Sequence, residues 1–422
     1  EAQLAEWRRL YNVDAWEEDL LWQGQFDEPF LQNHPYAMLD TAFFDVDFKV
    51  RLLATFDDLD GATDGLLIHG ENFQALNLLR AKYARQVKCI YIDPPYNTGS
   101  DEFIYKDNYQ HSSWLTMMAD RVDLACQTLR RDGVFFTSIS DEEQAHLRLL
   151  MTALFEIDSF LADVIWHARR SVSSDAIFSL SHHHTLVYCA NRQAFEAVKQ
   201  SFCLPADKEG FENPDNDPRG PWKSDPFDAP NIRPNLTYPI ENPNTGEVFW
   251  PPDGRCWRTT PEEYERLLAD NRIVFGKTGT AKPQLKRFWS EAKDRGRTPT
   301  TIWSDVDTTT RGTQQVQDLF GYKAFDNPKP VKLIVKMLEL CNNNILALDF
   351  FAGSGTTAHA VMVLNREDGG DRKYILVEIG DYFDTVLSPR IQKVVFSANW
   401  KDGVPQDRDG VSHVFKYQRI EY

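Results

Sequence analysis

Six consecutive residues, Val87-Lys88-Cys89-Ile90-Tyr91-Ile92, read as a buried strand that runs directly into Asp93-Pro94-Pro95-Tyr96. Two prolines fix the backbone and remove two N–H donors, so the turn presents carbonyls as acceptors. Beside them stand one carboxylate and one aromatic ring. The Asp93 carboxylate and the Pro94 carbonyl can each accept one hydrogen of an NH2 group, while Tyr96 stacks on the ring that carries it. Such a turn takes the amine out of conjugation and aims its lone pair. It suits a methyl-acceptor site for adenine N6 or cytosine N4.

A second strand, Ile345 to Phe351, leads into Ala352-Gly353-Ser354-Gly355-Thr356-Thr357 and then a helical stretch, Ala358 to Asn365. Glycines at a strand-to-helix turn let the backbone approach a ligand closely, and the helix N-terminus favours a carboxylate or phosphate. The turn lacks both the Gly-x-Gly-x-x-Gly spacing of a dinucleotide fingerprint and the Gly-Lys-Ser/Thr of a P-loop. A third strand, Lys373 to Glu378, ends in an acid placed to hold two ribose hydroxyls. The set Asp349, Phe350, Phe351, Ala352, Gly353, Ser354, Gly355, Thr356, Thr357 and Glu378 therefore reads as an S-adenosylmethionine site. Glu71 and Asn72, just after a strand, are candidates to reach the cofactor's adenine or to cap a helix, and Lys329 to face its carboxylate or solvent.

These motifs resemble the β-class amino-methyltransferases of DNA, in which the target-amine motif precedes the cofactor motif. Within that class the chain is similar to the modification (Mod) subunit of Type III restriction-modification systems. Leu66 to Leu76, Ile90 to Gly99, Phe325-Asp326-Asn327-Pro328-Lys329-Pro330 and Phe350 to Thr357 carry the likeness, which spans roughly residues 60–195 and 300–400. It implies a Rossmann-like α/β fold with a largely parallel seven-stranded sheet, permuted motif order and an inserted target recognition domain. It also implies that the strand before Asp93 lies beside the strand before Phe351, with Asp93, Pro94, Pro95 and Tyr96 catalytic. Asp at the head of the motif is usual for adenine-N6 enzymes of the family, which leaves cytosine-N4 as the alternative. A protein-glutamine methyltransferase and a non-catalytic DNA-binding scaffold fit less well. Type III modification subunits act as dimers and join a helicase-nuclease, so the resemblance implies both partners.

Alternating strands and helices divide the chain into an acidic N-terminal arm (1–65), a catalytic half (66–191), a loop-rich module (192–306) and a cofactor-binding half (307–422). In the arm, Trp7, Trp16 and Trp22 are the candidate packing anchors. The net charge of −17 argues against DNA until its distribution is considered. Residues 1–65 carry 15 acids against four cations, whereas residues 255–300 carry 11 cations against six acids. The arm reads as solvated, partner-facing or simply peripheral. Arg255, Arg258, Lys282, Lys286 and Arg287 in the module, with Arg169 and Arg170 in a serine-rich loop, are the candidate DNA contacts.

The six cysteines are scattered, with no Cys-x-x-Cys pair, and read as free thiols of a reducing cytoplasm rather than zinc ligands. His182-His183-His184 lie on a strand, point in alternating directions and so are assigned to packing; no metal is expected. No apolar run reaches the ~20 residues of a membrane span. No signal-peptide pattern opens the chain, and it reads as an ordered part of something longer.

Overall fold

The computed structural model describes residues 1–15, 28–98 and 110–421; Trp16, Trp22 and Gly99 lie outside them. The chain forms two compact units, 1–202 with 299–422, and 203–298. The second unit is narrower at both ends than the module 192–306. The helix Arg192–Val198 and the strand Ile302–Trp303 belong to the first unit.

The first unit is built on one sheet whose strands, in chain order, are β1 (Gly65–His69), β2 (Val87–Ile92), β3 (Leu129–Ile139), β4 (Phe160–His167) and β5 (His182–Cys189), then β6 (Ile302–Trp303), β7 (Leu346–Asp349), β8 (Lys373–Glu378) and β9 (Phe415–Arg419). Their spatial order is β6-β4-β5-β3-β2-β7-β8-β1-β9. Only β5 runs against the rest. The expected seven strands are present, and two edge strands extend them to nine. β6 is two residues long, and β9 is polar and half-exposed, so neither announces itself by an apolar run.

β2 is buried at all six positions, as a strand covered on both faces must be. It pairs in parallel with β7 through Cys89–Ala347 and Ile90–Leu348, so the strands before Asp93 and before Phe350 are neighbours. From β2 the chain builds outward to β3, β5 and β4; from β7 it builds the other way. The β2–β7 boundary is therefore the topological switch point, where open α/β sheets bind ligands at the carboxyl ends of their strands.

Two local readings change. The helix expected over 113–131 spans His111–Thr128, and Leu129 already pairs with Val87. The N-terminal arm is not wholly peripheral. Leu4, Trp7, Leu10 and Tyr11 form one helical stripe that packs on Phe396 and Trp400, with the Tyr11 and Phe396 rings stacked at 3.9 Å. Trp7 is the packing anchor that the sequence suggests, and the 3.6-residue apolar period joins Leu4, Leu10 and Tyr11 to it.

Candidate functional site

The carboxyl ends of β2, β7 and β8 open into one cavity of about 320 Å³. Its wall includes Asp93, Pro94, Pro95 and Tyr96 on one side and Asp349, Phe351, Ala352, Gly353, Ser354, Thr356, Thr357 and Glu378 on the other. Phe350 is buried beneath it, and Gly355 is the cap of the helix Thr356–Asp368. The volume suits one small ligand.

The acceptor turn is held from behind. Trp114, fully buried, donates its indole N–H to the Pro95 carbonyl at 2.9 Å. Asn97 adopts a left-handed φ of 59° and donates to the buried Glu143 at 2.6 Å. Among the described residues no donor reaches the Pro94 carbonyl. Asp93 accepts from the Lys329 ammonium through Oδ2, while its Oδ1 is buried without a partner among the described residues. Lys329 therefore faces the acceptor motif, with its Nζ 5.0 Å from the Tyr96 ring centroid, rather than solvent.

The opposite wall is a braced glycine turn. Gly353 and Gly355 both have positive φ, 52° and 82°, which other residues rarely adopt. Glu378 accepts from the Gly353 N–H at 2.8 Å and from those of Ile379 and Gly380 at 2.8 and 2.9 Å. Asp349 accepts from the Phe351 N–H at 3.1 Å and the Thr357 hydroxyl at 2.6 Å. Burial pushes the Asp349 carboxyl up to about 7, against the lowering effect of those two bonds.

Four residues at the site stand outside the candidate site residues named from the sequence. His183, on β5, lines the cavity with its Nδ1 3.3 Å from the Tyr96 hydroxyl and its ring edge-on to Tyr96 at 5.2 Å. Burial, with Lys329 and Arg169 nearby, pushes its pKa down to about 3, so the ring is neutral. Arg390 is fully buried and donates to the Ser354 and Thr356 hydroxyls at 2.7 and 2.9 Å, with no carboxylate partner among the described residues. Desolvation holds its pKa down to about 9. A buried guanidinium behind a helix N-terminus makes that end of the cavity a place for an anion. Phe325 and Tyr382, edge-on at 4.9 Å, complete the wall. Each of these contacts joins residues far apart in sequence.

Glu71 and Asn72 do not line the cavity. Glu71 accepts from the Gln74 N–H as a helix cap and pairs with Arg121; Asn72 donates to the Phe350 carbonyl at 2.9 Å. Asn72 thereby holds the residue that follows β7, and Glu71 fills the helix-cap role that the sequence offered.

A family model described as DNA methylase matches residues 87–387, spanning both walls and the stretch between them. The chain belongs to this DNA methylase family. It is 35% identical over 349 residues to the Type III restriction-modification enzyme StyLTI Mod subunit of Salmonella typhimurium, covering 74% of this chain and 52% of that protein. It is 31% identical over 371 residues to the Type II methyltransferase M.KpnI of Klebsiella pneumoniae, covering 79% and 84%. The chain thus spans about half the length of the first relative. The solved PvuII DNA methyltransferase (cytosine-N4-specific) aligns at 13% identity and a TM-score of 0.41, covering 79% of this chain and 86% of that one.

Arg169 lines the cavity and Arg170 is exposed beside it. The second unit has its own core around Phe227, Trp257 and Tyr264. Its cations are largely answered from within. Arg255 and Lys282 pair with Asp228, and Arg287 and Arg258 with Asp225, each cation remaining roughly two-fifths exposed. Lys286 is a correction: its side chain is fully buried against Asp215 and Asp217, out of reach of any phosphate. The window 255–300 counted its cations but not the aspartates at 215–228 that neutralise them.

The histidine run also needs amending. His183 turns away as alternation requires, but His182 and His184 share a face with Asp141, and His111, Glu143 and His146 form a second such group. His184 bonds Asp163 and Asp141 through its two ring nitrogens, both at 2.9 Å, which raises its pKa and satisfies it without an ion. No described helix is long and apolar enough to cross a membrane.

Proposed function

We propose that this cavity transfers a methyl group from S-adenosylmethionine to the N6 amine of an adenine in duplex DNA. One observation carries the reading: the unpartnered Asp93 Oδ1 and the braced glycine turn share one cavity. The residues fit the cofactor, since the buried Arg390 and the amino end of the helix Thr356–Asp368 suit a carboxylate, and Phe351, Phe325 and Tyr382 offer apolar and aromatic surface. When bound, that cofactor supplies the sulfonium methyl.

The chain's own residues do the rest. Asp93 Oδ1 and the Pro94 carbonyl each hold one amine hydrogen, favouring a more tetrahedral nitrogen. Tyr96 stacks on the base, an interaction contributing ~1–3 kcal/mol, and the neutral His183 steadies its hydroxyl. Lys329 balances the Asp93 charge without competing for Oδ1. The base must leave the duplex to reach this turn, at an unstacking cost of a few kcal/mol.

The second unit serves in this reading as the target recognition domain, its half-exposed Arg255, Arg258, Lys282 and Arg287 being candidate contacts. A second copy of the chain and a helicase-nuclease subunit are the partners this reading supplies, in a bacterial or archaeal cytoplasm. Cytosine N4 is the second reading, because the matched family and the acceptor turn admit either amine. Incubation with labelled S-adenosylmethionine and mixed-sequence duplex, followed by nucleoside mass spectrometry, tests it. N6-methyladenine is expected; N4-methylcytosine establishes the alternative, and no methylated nucleoside overturns both.

A further inference from the structure

The loop joining β4 to β5 leaves the rim of the cavity and returns to it. Its neck is closed by the Ala168 and Arg169 N–H groups, which both donate to the Ser181 carbonyl at 2.9 and 3.1 Å. Arg169 and Leu180, at its two feet, are part of the cavity wall. Within the loop, the Ser173 N–H bonds the Ser179 hydroxyl at 3.0 Å, so it has internal structure of its own.

Residues 169–178 are exposed without interruption. Among them stand Ile177 and Phe178, 96% and 91% exposed, with Val172 at 81%. No other large apolar side chain among the described residues is as exposed as Ile177 and Phe178. Serines and an aspartate surround them, so nothing in the fold demands apolar groups there. Arg169 and Arg170 precede them, and among the described residues neither arginine is ion-paired. An aromatic and a branched aliphatic side chain held out beside two available cations match a duplex: phosphates for the arginines, and an apolar slot between bases for the tip.

Resting on the DNA reading above, we propose that Ile177 and Phe178 form a wedge that enters the base stack and fills the position the target base leaves. The vacated slot has two π faces and excludes water, which is what a phenyl ring can occupy and a serine cannot. The wedge stabilises the extruded state from the duplex side, while Tyr96 stabilises it from the cavity side.

The test is the double variant Ile177→Ser/Phe178→Ser, whose surface positions leave the core untouched. Methyl transfer is compared with wild type on a matched duplex and on the same duplex carrying an abasic site opposite the target. With 2-aminopurine at the target position, wild type should raise fluorescence and the variant should not. Turnover on the matched duplex should fall about tenfold or more, and the abasic partner should restore most of it, because extrusion is then cheap. Equal loss on both duplexes, or no loss on either, overturns the wedge. A wild type that methylates neither duplex refutes the underlying function instead, a result distinct from both.

Discussion

Asp349→Asn should stabilise the protein increasingly as pH rises. The carboxyl is fully buried, and burial moves it from 3.8 to about 7, with Asp93 and Glu378 adding smaller contributions. A carboxyl with a raised folded pKa keeps its proton in the folded state after the unfolded chain has released it. Its penalty is therefore absent below pH 3.8, grows as pH rises toward 7 and levels off above that. A shift of this size corresponds to about 2 kcal/mol at pH 5 and about 4 kcal/mol at pH 8. Asparagine cannot ionise, so the variant loses this penalty. Its Oδ1 can still accept from the Phe351 N–H, and the Thr357 hydroxyl can turn to accept from Nδ2, so any lost bonding is a constant offset. Urea unfolding of both proteins at pH 5 and pH 8 gives the comparison, since every other titrating group is shared. The gap should shift in the variant's favour by about 2 kcal/mol between the two. Parallel stabilities would mean that Asp349 is not a desolvated acid.

Asp93→Ala and Tyr96→Ala should abolish most methyl transfer yet leave cofactor affinity within a few-fold by titration calorimetry; equal loss of both would contradict the division into two walls. Arg390→Met should weaken cofactor binding about 10- to 100-fold, the effect of losing hydrogen bonds from a charged donor, in calorimetry on protein whose circular dichroism is unchanged. Lys286→Met should cost about 3 kcal/mol in urea unfolding by leaving Asp217 and Asp215 short of a buried cation, while the salt dependence of DNA binding stays as in wild type. A shallower salt slope would return Lys286 to the DNA contacts.

What was legible in the sequence is what a short stretch specifies by itself. β2, β7 and β8 are apolar runs, ended by the prolines after β2 and by glycine turns after β7 and β8, so strand and loop could both be read, and parallel pairing of buried strands fixes where the loops meet. What escaped depends on distant partners. Arg390 sits in the largely buried helix Leu387–Phe396, and only the return of that helix beneath Ser354 gives it a role. His183 was read as packing, and it does pack, but the ring it packs against is Tyr96. Lys286 was misread because charge was counted in a window, whereas its aspartates lie outside it. β9 escaped because an edge strand half in water shows little apolar signal.

A crystal structure with sinefungin, an analogue whose amine stands in place of the transferable methyl, addresses the meeting of the two walls most directly. The amine should lie beside the open acceptors of the Asp93 turn, about 3–4 Å from where a base nitrogen would sit, with the ligand carboxylate over the amino end of the helix Thr356–Asp368. An analogue bound in another cleft, or with its amine directed away from Asp93, would contradict the account.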